Sequence, residues 1–123
     1  MKKLLILPLL ALLLLAGCTK EEPINNSGGI VFWQTKTTAQ TMTNLGVTTY
    51  KVYVAGKYVG SRSTAEYYDI APDCDGTALK YTHNLGTADQ ATVSYELYDE
   101  NNTQLESSSI TIKKNICLQW EWN

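Results

Sequence analysis

Thr49-Tyr50-Lys51-Val52-Tyr53-Val54-Ala55-Gly56-Lys57-Tyr58-Val59 carries the clearest structural signal in the chain. Tyr50, Val52 and Val54 alternate with Thr49, Lys51 and Tyr53, the period-two pattern of a strand with one buried face. Ala55-Gly56-Lys57 then interrupts the run where a tight hairpin would turn, and Gly56 can supply the positive φ. The same period recurs downstream: Val93, Tyr95 and Leu97 alternate with Ser94, Glu96 and Tyr98, and Ile116, Leu118, Trp120 and Trp122 alternate with Cys117, Gln119 and Glu121. Ile30 to Trp33 is apolar at every position, as in a strand covered on both sides or lying near a sheet's middle. Leu79, Tyr81 and Leu85 mark a weaker strand that also carries His83, and Ile110 and Ile112 mark another after Ser107-Ser108-Ser109.

The connections agree with that pattern. Asp99 to Thr103 joins two strands through Asn101 and Asn102, and Lys113-Lys114-Asn115 joins the last two, with Asn able to take the left-handed position. Thr37 to Leu45 is ambiguous and has room for a turn of helix. Beyond residue 17 there are fifteen threonines, and a β-branched side chain suits an extended backbone better than a helix. About seven short strands over 30–123 predict an all-β domain, a small antiparallel β-sandwich of Ig-like or prealbumin-like layout.

Upstream of the sandwich the chain has a different character. The first 17 residues hold nine of the fifteen leucines and only two charges, Lys2 and Lys3. The apolar run Leu4 to Leu15, 12 residues with Pro8 inside it, is too short to span a bilayer. A positive start, an apolar middle and the close Leu15-Ala16-Gly17-Cys18 have the order of a secretory signal. Without this leader the 44% apolar content falls to about 39%, ordinary for a soluble domain, and the formal charge moves from -2 to -4. An acidic balance of this kind disfavours nucleic acid as a partner.

Leu15-Ala16-Gly17-Cys18 resembles the lipobox of bacterial lipoproteins. The resemblance implies that residues 1–17 are a lipoprotein signal peptide, that the Cys18 thiol carries a diacylglycerol, and that the new amino terminus is acylated. At about 0.8 kcal/mol per buried methylene, two or three acyl chains would hold the protein on a membrane effectively for good. Thr19-Lys20-Glu21-Glu22 is similar to the surface-export signal of Bacteroidota lipoproteins, which implies the outer membrane or the cell surface. From Lys20 to Gly29 the residues are Glu, Pro, Asn, Ser and Gly with one Ile24, a composition that cannot bury enough surface to fold. Residues 18–29 are therefore expected to be a lipidated anchor and flexible tether, and 30–123 the folded domain.

Once Cys18 is lipidated, Cys74 and Cys117 remain, and an even pair in an exported chain is most simply a disulfide. Cys117 alternates with Leu118, so the bridge should tie the Asp73 to Gly76 loop to the outer side or end of the sheet. The hairpin Val52 to Gly60, with Gly29 to Trp33, the Cys74 loop and Ile116-Cys117-Leu118, resembles small Bacteroidota surface lipoproteins. The hairpin is also similar to the strand-Gly-strand unit of PEGA-type modules, whose sandwich looks like a prealbumin or carboxypeptidase regulatory domain. That likeness implies a fold and an envelope address, and no catalytic residue.

Residues that could carry chemistry are few. His83 is the single histidine, and no Gly-x-Ser-x-Gly elbow presents a nucleophile. One His and two paired cysteines cannot supply the ligands of a zinc site. Asp73-Cys74-Asp75-Gly76 has the look of a calcium-loop fragment, which makes Asp73 and Asp75 a weak calcium candidate. The distal Glu of such a loop is missing, because Asn84 stands in its place, and an Asp-rich turn beside a disulfide explains the segment better. Glu96, Asp99, Glu100, Glu106 and Glu121 each fit a solvated face or turn. No cofactor is implied.

The aromatic load is the remaining feature: one Phe, three Trp and eight Tyr, all beyond residue 29. Tyr50, Tyr81, Tyr95 and Trp120 lie on inferred core faces. Tyr53 and Tyr98 are out of phase with their strands' core residues, Tyr67 and Tyr68 fall in a loop, and Trp122 is one residue from the terminus. These five are the candidate binding aromatics, and a cluster of them would mark a binding face for a protein or glycan ligand. The expected function is a lipid-anchored, noncatalytic binding or interaction module of the bacterial cell envelope. A structural or adhesive subunit of an envelope assembly is the alternative, with a small hydrolase third.

Overall fold

The computed structural model describes residues 26–123. Cys18, the leader and the tether as far as residue 25 therefore lie outside the described residues. Seven strands and one helix follow in the order β1 (Ser27–Gln34), α1 (Lys36–Asn44), β2 (Thr49–Val54), β3 (Lys57–Ser63), β4 (Leu79–Asn84), β5 (Gln90–Tyr98), β6 (Gln104–Lys113) and β7 (Cys117–Trp122). They form a sandwich of two sheets, three-stranded in the order β4-β1-β7 and four-stranded in the order β3-β2-β5-β6.

The alternating residues meet between the sheets. Ile30 and Phe32 from β1 pack against Val52 and Val54 of β2, Tyr95 and Leu97 of β5, and Ile110 and Ile112 of β6. Rings supply much of the filling: Phe32 lies 6.1 Å from Tyr95, Trp120 5.5 Å from Tyr95 and Trp122 4.9 Å from Tyr50, centroid to centroid. Tyr50 and Tyr95 are buried, and Tyr81 and Trp120 pack against the cluster from its margin, as their phase predicts.

β1 is the middle strand of its sheet, so its uninterrupted apolar run is buried on both faces. Val31 and Trp33 point away from the sandwich interior yet are buried. The connection from Thr64 to Ala78 is held across that side of the sheet. Cys74 and Cys117 are bonded with their Cα atoms 6.3 Å apart, and Gln119, on the same face as Cys117, donates to the Pro72 carbonyl at 2.9 Å. The disulfide thus ties the Asp73 to Gly76 loop to the outer side of β7.

Three expectations need correction. The sheets are not wholly antiparallel, since β1 and β7 pair in parallel while every other pair is antiparallel. A parallel neighbour requires a crossover, and here the whole of the intervening chain serves as one. Second, β1 begins at Ser27, so Ser27-Gly28-Gly29 belongs to the sandwich and not to the tether. Glycine is required there by packing: a Cβ on Gly28 would sit 2.2 Å from the Lys113 carbonyl oxygen. Third, Trp122 is a core residue, 4% exposed.

The ambiguous segment is a nine-residue helix, α1, started by Thr35, whose hydroxyl accepts the Thr38 N–H at 3.4 Å. It buries only Thr38 and Ala39, with Met42 at the edge of the core, which is why no apolar stripe announces it. Among the described residues no helix is long and apolar enough to cross a membrane. The chain enters the sandwich at one pole, where the Leu85 N–H donates to the Asn26 carbonyl and the Asn115 N–H to the Ser27 carbonyl, both at 2.8 Å. At the other pole lie α1 and the β5–β6 turn, Asp99–Thr103. There Glu100 reaches back to accept the Thr48 and Thr49 N–H groups at 3.1 and 3.3 Å.

Candidate functional site

A two-residue turn, Ala55-Gly56, with φ of 53° and 78°, joins β2 to β3 and sets the register of the hairpin. Tyr53 therefore stands opposite Tyr58 on one side and opposite Glu96 of β5 on the other, and Glu96 stands opposite Ser107 of β6. The next row on the same face runs Ser61, Lys51, Tyr98, Gln104. These side chains alternate with Val52, Val54, Tyr95 and Leu97 of the core, so they project from the outer, solvent-facing side of the four-stranded sheet.

The rows bring three tyrosines together. Tyr53 lies 5.4 Å from Tyr58 at an interplanar angle of 56°, and 5.5 Å from Tyr98 at 83°. Tyr58 is 58% exposed, while Tyr53 and Tyr98 are half-buried by one another and by their neighbours. On the other side of Tyr53 is a shallow depression of about 390 Å³, lined by Tyr53, Gly56, Glu96, Tyr98 and Asn102. Gly56 leaves its end open, with nothing near the position a Cβ would take.

The polar groups around the depression are oriented by each other. The Tyr98 hydroxyl donates to Glu96 Oε1 at 3.0 Å and lies 3.4 Å from Gln104 Oε1. The bond to Glu96 is the main cause that holds the Tyr98 hydroxyl above its ordinary pKa. Lys51 Nζ donates to Asn102 Oδ1 at 2.8 Å, and Asn102 takes a positive φ of 65° at the end of the turn. Each charged group of the patch thus has a neutral hydrogen-bond partner within it. Glu96 and Asn102 bring a carboxylate and an amide to the lining of the depression.

Of the five aromatics singled out in the sequence, Tyr53 and Tyr98 belong to this cluster. Tyr67 and Tyr68 do not. Tyr67, 43% exposed, forms the wall of a groove against Gln40, Thr43 and Asn44 of α1. Tyr68 lines a separate polar hollow with Arg62 and Glu66, which pair at 3.8 Å. Trp122 is buried against Tyr50 and has no binding surface to offer.

Tyr58 is the member that sequence reasoning missed, together with Glu96 and Asn102 as its polar surround. The signal was present: a two-residue turn places Tyr53 directly across from Tyr58, whereas a three-residue turn, Ala55-Gly56-Lys57, does not.

The other candidates sit apart. Asp73 and Asp75 are exposed in the disulfide loop, where the Gly76 N–H closes a turn on the Asp73 carbonyl at 3.2 Å. No group of three or more His, Cys, Asp or Glu side chains gathers as a metal set among the described residues. His83 Nδ1 shares a hydrogen bond with the Tyr81 hydroxyl at 2.8 Å on β4. The carboxylates on β5, β6 and their turn are separately engaged. Glu96 holds Tyr98, Glu100 braces Thr48 and Thr49, and Glu106 accepts from the buried Tyr95 hydroxyl. Comparison of the chain with protein-family models, curated proteins and solved structures finds no match.

Proposed function

We propose that this protein is a lipid-anchored, noncatalytic binding module of the bacterial cell envelope, and that it contacts its ligand through the open tyrosine face of the four-stranded sheet. The observation that carries the reading is the convergence of Tyr53, Tyr58 and Tyr98 on one solvent-facing surface. Aromatic side chains grouped outside a core are the usual anchors of recognition, since each offers a large apolar area at small entropic cost. The polar surround of Glu96, Asn102 and Lys51 gives the patch directional contacts as well.

The topology supports an outward-facing role. The tether enters at the pole formed by Asn26, Leu85 and Asn115, and the Tyr98–Asn102 end of the depression lies toward the opposite pole. Anchored through Cys18, the molecule would present that end away from its own membrane. The test is a photoreactive aromatic residue placed at position 58 in intact cells. A discrete crosslinked species is expected from position 58 and none from position 45 at the end of α1. Crosslinks of equal yield from both positions, or none from 58, would overturn the reading.

A further inference from the structure

We infer that the ligand of the tyrosine face is a neutral saccharide chain, seated with one sugar in the Tyr53–Glu96–Tyr98–Asn102 depression and continuing along the outer face of β5 and β6. This rests on the binding reading above and adds the chemical class of what is bound.

The first ground is the composition of the depression itself. A sugar ring has an apolar face of C–H groups and a rim of hydroxyls, each both donor and acceptor. The depression offers the matching set: the rings of Tyr53 and Tyr98 for the C–H face, a carboxylate oxygen of Glu96 to accept, and the Asn102 amide to donate. Its volume of about 390 Å³ falls in the small-ligand range.

The second ground is electrostatic. The two rows carry one carboxylate, Glu96, and one ammonium, Lys51, so their formal charges cancel. A strongly acidic or basic partner would find no complementary field here. A neutral polyhydroxylated ligand needs none.

The third ground separates a saccharide from a protein. Beyond the tyrosines the outer face of β5 and β6 presents Thr92, Ser94, Ser107, Ser109 and Thr111, with the Thr92 and Thr111 hydroxyls 3.0 Å apart. Protein–protein interfaces are depleted in serine at their cores and bury about 800 Å² from each partner. Three tyrosines beside a hydroxyl-lined sheet do not supply an apolar patch of that extent. The same hydroxyls are suited to a second and third sugar unit: from Tyr98 to Thr92 the strand runs roughly 20 Å at about 3.4 Å per residue.

The experiment uses the full lipidated chain, extracted in detergent, against a panel of short neutral oligosaccharides (glucan, mannan, xylan and chitin fragments) and one acidic uronan. Binding is read by calorimetry and by chemical-shift changes of the backbone amides. The expected result is saturable binding of at least one neutral oligosaccharide, with shifts at Tyr53, Glu96, Tyr98 and Ser107. Tyr53→Ala and Glu96→Gln should each weaken it about tenfold or more, the effect of losing one anchoring contact. Tyr53→Phe, which keeps the ring, should retain most of it, and Leu45→Ser, at the exposed end of α1, should leave it unchanged. A thermal melt of each variant separates lost contacts from lost folding. Binding of the uronan alone would overturn the inference. So would a crosslinked protein partner at position 58 with no saccharide bound, a result that leaves the binding reading standing. Silence in both experiments would remove both.

Discussion

Ala55 holds a left-handed conformation, φ 53°, that an alanine adopts only at a cost of about 1 kcal/mol or more. Ala55→Asn should therefore stabilise the domain by roughly 1 kcal/mol, measured as a shift of the denaturation midpoint, because Asn-Gly is the preferred pair for such a turn. At Trp122 the expected effect is opposite and larger. Trp122→Ala removes a ring packed on Tyr50 and should cost about 3–5 kcal/mol, as large core truncations do. The ring's burial could have been inferred from its phase with Leu118 and Trp120. Its position beside the terminus suggested exposure, and what closes over it is a long-range partner, Tyr50, that periodicity does not reveal. Burial also pushes the hydroxyls of Tyr50 and Tyr95 up to about 12, with the Glu106 hydrogen bond adding to the effect at Tyr95. Because the folded values lie above the ordinary value of 10, these groups favour the native state fully below pH 10. That contribution is lost as the pH rises toward 12. A tyrosinate absorbance titration should show two tyrosines that ionise only as the domain unfolds, and Tyr95→Phe should remove one of them.

The individual strands were legible because period-two alternation is a local signal, and Asn102 and Asn115 take the left-handed positions their residue type suggested. The pairing of β1 with β7 was not, since nothing local distinguishes a parallel neighbour from an antiparallel one. The helix stayed ambiguous in the sequence for a related reason: its buried side chains are Thr38 and Ala39, which leave no apolar period. Two long-range ties hold these elements in place. The disulfide closes a separation of 43 residues, and on the loop-entropy estimate it contributes about 4 kcal/mol. Cys74→Ser with Cys117→Ser should lower unfolding stability by that order in denaturant, and an unchanged midpoint would contradict its bracing role. Glu100 fastens the β5–β6 turn to the start of β2, and its hydrogen bonds hold its carboxyl below the ordinary value of 4.5. A depressed folded value means the contribution is complete above pH 4.5 and lost as the pH falls through the folded value. Acid unfolding of Glu100→Gln should accordingly be less steep in that range than that of the parent.

At the scale of the molecule, we propose three parts that act together: an anchor at Cys18, a tether, and a sandwich whose tyrosine face has its Tyr98–Asn102 end toward the pole opposite the point of attachment. Cys18→Ala should yield an uncleaved, unlipidated precursor on gels, and normal acylation of that variant would refute the anchor. Two of the three tyrosines were identifiable by being out of phase with the core. The third required the exact hairpin register, and the polar surround required knowing which turn lies beside which strand. If the tyrosine face is where the protein works, it is occupied on the cell. Tyrosine-selective chemical modification reads that occupancy, by comparing intact cells with purified protein and following each tyrosine by mass spectrometry. Tyr58 and Tyr53 should react in the purified protein and be protected on cells, while Tyr67 reacts alike in both. Equal reactivity of Tyr58 in the two samples would contradict a ligand on this face.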